Sequence, residues 1–202
     1  MPDIRIELLP ANQRTLSEYS SIPISFEVRS ILRVDLVDGG LGGIRLKEEP
    51  VARPYIKDYD ARDGEGPTRW LKRFDVANWR LFIARDGERA IGGATVVINS
   101  PEIHSLNGRD DLCIIWDLRL CPEFRRKGIG TGLFNAVSRW ARDRGCSQMA
   151  VETQNNNVPA CRFYARQGCT LGEINRYHYI QHRSFADEVM LVWYLDLARK
   201  SD

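Results

Sequence analysis

A mixed α/β domain is what this 202-residue sequence predicts, and three observations carry that expectation. "NWRLFIAR" and "RAIGGATVVI" alternate like strands on either side of Asp86-Gly87, a dipeptide that closes tight hairpins. "LCIIWDLRL", residues 112–120, is a nearly continuous apolar run, as expected of a strand covered on both faces. "CPEFRRKGIGTGLF" then leads through glycines into a helical pattern with Leu133, Phe134, Val137, Trp140 and Ala141 on one face, ending near Gly145.

The remaining elements follow in order. Residues 4–8 alternate like a strand, and 11–20 suit a short helix. Between 24 and 48 lie the extended runs "ISFEV", "ILRVDLV" and "GIRLKE", the last two flanking Asp38–Gly43 as a second hairpin. Residues 57–68 form a polar, acid-rich connection, and Pro67 sits where a short helix over 67–74 would begin. "QMAVET" reads as the next strand, 158–167 as a helix stopped by Gly168, and "EVMLVWYLDL" as the last strand. No repeat or linker interrupts the chain.

Composition narrows the function. A net charge of +2 without a basic tract gives no electrostatic footprint for nucleic acid. Five cysteines without a C-x-x-C pair make neither a zinc site nor a disulfide framework, so no metal is expected and the thiols suit a reducing compartment. With no N-terminal apolar core and no spanning apolar stretch, the expectation is a soluble cytoplasmic protein away from membranes.

Arg125, Arg126 and Lys127 directly before Gly128, Gly130 and Gly132 point to an anion, most often a phosphate. Glycine lets backbone approach a ligand, and a helix start offers unpaired N–H groups at its positive end. The dinucleotide fingerprint G-x-G-x-x-G fails because position 133 is Leu, and no G-K-[ST] follows for a Walker loop. An ordinary solvated turn is the alternative.

The segment R125-R126-K127-G128-I129-G130 resembles the acetyl-CoA signature Arg/Gln-x-x-Gly-x-Gly/Ala of the GNAT N-acetyltransferase superfamily, with Pro122 at the family's usual proline. "ETQNNNVPACRFYARQGC", residues 152–169, resembles a second family block, with its Asn-x-x-Ala helix start and Phe-Tyr pair. Cys169 departs from the aromatic common there, which should weaken packing more than catalysis. The phrases "PYIKDYD", "WDLRL" and "LGEINRYHY" are similar to the streptothricin acetyltransferase-like branch. The likeness covers roughly residues 78–196. It implies a mostly antiparallel central sheet flanked by helices, with the glycine turn after the fourth core strand. Residues 1–77 then become a substrate-side elaboration, carrying an extra hairpin, of one domain over 1–202.

The resemblance also implies site residues. Backbone N–H groups of Arg126, Lys127, Gly128, Ile129, Gly130 and Thr131 would wrap the pyrophosphate of coenzyme A, with the side chains of Arg125, Arg126 and Lys127 adding charge. Pantetheine would pair with the backbone of Leu118, Arg119 and Leu120, and Asn157 would cap its helix and touch the coenzyme arm. Glu152 and Tyr164, at a spacing similar to that of ribosomal-protein N-terminal acetyltransferases, would take the amine proton and protonate the leaving thiolate. A solvated strand-end carboxylate and a core aromatic are the plain alternatives.

Asp117, a carboxylate inside an apolar strand, is the rival base or else one half of a salt bridge. Asp58, Asp60, Asp63 and Glu65 could gather a cationic substrate. His178 and His182 share an i, i+4 spacing but no convincing helix. The expected activity is acetyl-CoA-dependent acetylation of a primary amine on a small cationic molecule. A protein N-terminus or lysine as acceptor, and a catalytically silent CoA-binding module, are the alternatives. The sequence leaves both monomer and homodimer open.

Overall fold

The computed structural model describes residues 4–61 and 66–197, so Asp63 and Glu65 lie outside the described residues. Strands β1 (Ile4–Pro10), β4 (Trp79–Asp86), β5 (Arg89–Val97), β6 (Leu112–Leu120), β7 (Gln148–Gln154), β9 (Met190–Asp196) and β8 (Thr170–Asn175) form a sheet in that spatial order. β2 (Phe26–Val37) and β3 (Gly43–Lys57) form a separate two-stranded ribbon. The helices are α1 (Gln13–Tyr19), α2 (Pro67–Arg73), α3 (Ile129–Asp143) and α4 (Val158–Arg166). By its contacts the chain divides into two compact units, and β7 and β9 run through both.

In the first unit β1 pairs antiparallel with β4 from Ile4↔Asp86 to Pro10↔Arg80. β4 and β5 are the expected hairpin, turned at Gly87 with φ +58°. β5 pairs antiparallel with β6, and a bulge at Trp116 separates the Val96↔Ile115 and Thr95↔Asp117 pairs. The parallel pairing of β6 with β7 runs only from Leu112↔Gln148 to Ile115↔Val151. Beyond it, the β7-side edge of residues 116–120 has no strand partner among the described residues.

Helix α3 lies on β1, β4 and β5 and buries Leu133, Phe134, Val137 and Trp140, the face read from its apolar spacing. At roughly 1.5–3 kcal/mol per buried side chain, this face holds the helix far more firmly than propensity could. Helix α1 starts at a reciprocal cap, with Asn12 Oδ1 accepting from Thr15 N–H and Thr15 Oγ1 accepting from Asn12 N–H. It packs on α2, where Tyr19 and Trp70 join Phe74, Trp79 and Trp116 in one aromatic cluster with ring centroids 5.1–6.5 Å apart.

In the second unit the β2–β3 ribbon pairs from Phe26↔Lys57 to Val37↔Gly43, with one irregularity between Val28 and Ser30. Its turn is the expected Asp38–Gly43 segment, where Gly39 stands at φ +66°. β3 runs on to Lys57, well past residue 48, where the sequence reading ended it. β8 is a strand that the sequence reading did not assign.

Asn155, just after β7, spends all four of its polar groups as a brace. Its backbone N–H and Oδ1 bond the carbonyl and N–H of Val189, while its carbonyl and Nδ2 bond the N–H and carbonyl of Leu32. Asn156 Oδ1 accepts from the buried Lys57 ammonium at 3.2 Å, and Lys57 also pairs with Glu188.

Candidate active site

The glycine turn leaves β6 through Pro122 and winds into α3. Arg126 at φ +62° and Gly128 at φ +84° both occupy the left-handed region. Alternation into this region turns successive N–H groups to one side, the geometry of an anion nest. The first internal bond of α3 runs from Gly132 N–H to the Gly128 carbonyl, and no side chain caps the helix start. The N–H groups of the first turn therefore lack the capping oxygen that most helices supply. No heavy atom stands within 4 Å of where a Gly128 Cβ would be, so a ligand can approach the backbone there. Arg126 and Lys127 are exposed, and Lys127 lies 5.1 Å from the Phe124 ring centre. This open, basic, N–H-rich turn could hold the pyrophosphate of coenzyme A, and the edge at 116–120, without a strand partner on its β7 side among the described residues, could take an extended amide-bearing arm.

Arg125 differs from its two neighbours. Its guanidinium donates to the carbonyls of Leu120 at 3.2 Å and Ser25 at 2.8 Å, and burial draws its pKa down. It fastens the turn to the end of β6, so the free charge expected of it falls to Arg126 and Lys127. Gly128, for its part, cannot take a side chain without strain, whatever the ligand.

Arg119 is buried, its side chain 0% exposed, and all five of its N–H donors are used. Nε and Nη2 grip Asp117 at 2.9 and 2.7 Å, Nη1 and Nη2 grip Asp60 at 2.7 and 3.2 Å, and Nη1 also reaches the Ile22 carbonyl at 3.0 Å. The Tyr19 hydroxyl donates to Asp117 Oδ1 at 2.5 Å, and the guanidinium sits 4.8 Å from that ring's centre. Burial pulls the Arg119 pKa down, but Asp117, Tyr19 and Asp60 outweigh it and the net shift is upward. Burial, then the Asp117 charge, pushes the Tyr19 phenol well above its ordinary value.

This geometry corrects two expectations. Asp117 is the anionic half of a buried ion pair and not an open base, because accepting a proton would break its bidentate grip on Arg119. Asp60 is likewise committed to Arg119, and Asp58 Oδ1 accepts the Asp60 N–H at 3.0 Å, so these two acids order their own loop.

Glu152 and Gln154 alternate on one face of β7 while Thr153 faces the other way, toward Cys161 and Trp193. Glu152 is exposed. Its Oε1 accepts from Gln154 Nε2 at 3.1 Å and from the Tyr179 hydroxyl, and Gln154 Nε2 also donates to that hydroxyl at 2.7 Å. Oε2 carries no hydrogen bond among the described residues.

Asn157 caps α4 as expected, its Oδ1 accepting from Ala160 N–H at 3.3 Å. Tyr164, on α4, is 5% exposed, with its ring edge-on to Phe163 at 5.2 Å. His178 and His182 lie in turns, His178 perpendicular to the Tyr179 ring and His182 stacked on Phe185. Sequence reasoning missed Tyr179 and Gln154. Among the described residues, no group of three His, Cys, Asp or Glu side chains could hold a metal ion, and no helix is long and apolar enough to cross a membrane.

Comparison with known proteins agrees with this geometry. The model of the Acetyltransferase (GNAT) family matches residues 46–169. Streptothricin acetyltransferase of Escherichia coli is 28% identical over 169 residues, covering 84% of each chain. N-alpha-acetyltransferase 30 of Schizosaccharomyces pombe (strain 972 / ATCC 24843) is 30% identical over 136 residues, 64% of this chain and 87% of that one. A Bacillus anthracis str. Ames protein solved with acetyl coenzyme A is 25% identical, superposes with a TM-score of 0.73, and covers 96% of this chain and 98% of its own. An uncapped glycine turn after the fourth strand of the sheet, on a chain that matches the family model over more than half its length, leads to one conclusion. The chain belongs to the Acetyltransferase (GNAT) family and is an acetyl-CoA-dependent N-acetyltransferase.

Proposed function

We propose that this enzyme acetylates a primary amine on a small cationic molecule of the streptothricin kind, which would make it an antibiotic-modifying enzyme. One observation carries the reading. The likeness to the E. coli streptothricin acetyltransferase spans 169 residues, and only 125 follow Ala77, so it must extend well into the N-terminal segment. The S. pombe protein accounts for a smaller share of this chain. Residues 1–77 are on this reading a substrate-side elaboration of a core over 78–196, shared with an enzyme whose acceptor is small.

The roles of the residues follow from their chemistry. Backbone N–H groups from Arg126 to Thr131, with the Arg126 and Lys127 side chains, hold the pyrophosphate of coenzyme A. The backbone at Leu118, Arg119 and Leu120, beyond the reach of the β7 pairing, pairs with the pantetheine amides, and Asn157 touches the same arm as well as capping α4. The acceptor arrives as an ammonium, whose ordinary pKa of about 10.4 leaves it without a lone pair at neutral pH. Glu152 takes one proton from it. The freed nitrogen bonds to the acetyl carbon, the carbon–sulfur bond breaks, and Tyr164 gives its phenolic proton to the thiolate. Nitrogen loses a second proton as the amide forms. Of the two protons lost, one balances that gained by sulfur and the other is released to solvent.

The test is an acceptor panel of streptothricins, aminoglycosides, polyamines and peptides, followed by release of coenzyme A thiol. Saturable turnover of a streptothricin, exceeding that of every peptide by at least about 10²-fold in kcat/KM, is the expected result. Rapid acetylation of peptide N-termini or lysines without turnover of a small cationic amine would reverse it.

A further inference from the structure

Glu152 stands on an exposed strand end, where a long carboxylate ordinarily samples several rotamers. Here three side chains close a ring of hydrogen bonds. Gln154 Nε2 has two hydrogens and spends one on Glu152 Oε1 at 3.1 Å and one on the Tyr179 oxygen at 2.7 Å. The phenol has a single proton, already accepts from Gln154, and donates that proton to Glu152 Oε1. Each donor thus has a defined acceptor. Glu152 Oε1 receives two hydrogen bonds, and Oε2 receives none among the described residues.

The ring is fixed from behind. Tyr179 is 7% exposed and sits between the edges of His178, at 4.7 Å and 90°, and Phe185, at 5.5 Å and 64°. His182 stacks in turn on Phe185, with ring centres 4.7 Å apart and planes 11° from parallel. The connection between β8 and β9 that carries these residues is pinned at its end, where Asn155 Oδ1 accepts the Val189 N–H at 2.9 Å. Tyr179 is the titratable side chain bonded to Glu152, and no lysine, arginine or histidine is ion-paired with that carboxylate among the described residues.

We infer that Tyr179 and Gln154 are positioning residues that fasten Glu152 through Oε1 and leave Oε2 as the atom that receives the acceptor's proton. The inference rests on the reading of Glu152 as the base. Its physical sense is that a proton accepted at Oε2 leaves both bonds at Oε1 in place, so the carboxyl group keeps its aim through the proton transfer.

Tyr179→Phe tests this, since it removes the donor and keeps the ring in its collar. With wild-type acetyl-CoA affinity, kcat should fall about tenfold. KM for the amine should stay within about twofold, so that the loss is one of kcat, as expected when a base is misaimed in the transition state while the substrate still binds. Glu152→Gln should lower kcat by about 10²–10⁴. In that background Tyr179→Phe should add less than about twofold, since there is no longer a base to position.

A merely structural Tyr179 gives a different pattern: a lowered melting temperature, kcat and KM changed together, and an effect that persists beside Glu152→Gln. That pattern overturns the inference. Gln154→Met is the second variant, should Tyr179→Phe fail to fold, and should likewise lower kcat while KM for the amine stays within about twofold. If Glu152→Gln keeps wild-type kcat, the base assignment itself is wrong and the positioning role falls with it. If only Glu152→Gln is impaired and both other variants keep wild-type kcat, the positioning role alone is refuted.

Discussion

Replacing Arg119 by Met tests the best-defined polar cluster in the protein. Methionine fills much of the volume and removes five donors, leaving Asp117, whose side chain is 8% exposed, with the Tyr19 hydroxyl alone. Breaking a buried ion pair by removing one partner costs about 3–5 kcal/mol, most of it the uncompensated charge left behind. Asp60 is 29% exposed and can rehydrate, so its share should stay below about 1 kcal/mol. A loss of about 3–5 kcal/mol corresponds to a melting temperature lower by roughly 6–20 °C for a chain of this size.

Urea unfolding followed by the fluorescence of Trp70, Trp79 and Trp116, which cluster beside Tyr19, gives the number directly. Adding Asp117→Asn to Arg119→Met should recover part of the loss, because no buried charge is then left alone. A loss below about 1 kcal/mol with an unchanged denaturant slope would refute the structural assignment. A 10²-fold fall in kcat for a folded Asp117→Asn variant would return Asp117 to the role of base.

Three further outcomes are expected. Arg126→Gly should weaken acetyl-CoA binding by about tenfold in a calorimetric titration through the lost charge. Thermal stability should meanwhile hold or rise, because φ +62° strains an arginine by about 1–2 kcal/mol and suits glycine. Tyr164→Phe should bind acetyl-CoA within a few-fold of wild type while kcat falls by about 10²–10⁴, and an unchanged chemical step would make Tyr164 a packing residue. All five cysteines are buried, and burial raises every thiol pKa, that of Cys169 to about 11. A disulfide reagent at neutral pH should therefore label fewer than one thiol per native chain and all five in guanidinium, so a coenzyme A thiol assay meets little background.

Much of the fold was legible because local chemistry and the final structure agree. Asp86-Gly87 and Asp38–Gly43 turn where their glycines allow positive φ, Asn157 caps α4, and the apolar face of α3 is the one it buries. β3 continues past residue 48 through Pro50 and Pro54, residues that locally argue against a strand, because a two-stranded ribbon has open edges where proline costs no ladder bond. β8 was missed because it is short, lies at the end of the sheet order and carries Gly172 within an otherwise exposed run.

At the site, Asp117 announced its need for a partner, and Arg119 two residues on, with its side chain on the same side of β6, was there to be read as one. Asp60 was not readable in that role, since it comes from a loop 59 residues away. Tyr179 was hidden for the same reason. Glu152-x-Gln154 showed that two polar side chains share a face, but nothing local says that a tyrosine 27 residues later closes on them.

The contrast between Asp117 and Glu152 explains why one strand carboxylate suits structure and the other chemistry. Both oxygens of Asp117 are held by a buried guanidinium, and Oδ1 also by a phenol, so a proton could arrive only by displacing a charged partner that has no water to turn to. Whatever such a carboxylate gained by taking the proton, it would lose more by stranding Arg119, whose side chain is 0% exposed. Glu152 is held by two neutral donors at one oxygen, on an exposed strand end. On the proposed reading of Glu152 as the base, protonation at Oε2 strands no charge and breaks no bond, and the proton can leave to solvent after each turnover. A base must be fastened firmly enough to aim and loosely enough to change its charge, and of the two carboxylates only Glu152 meets both conditions.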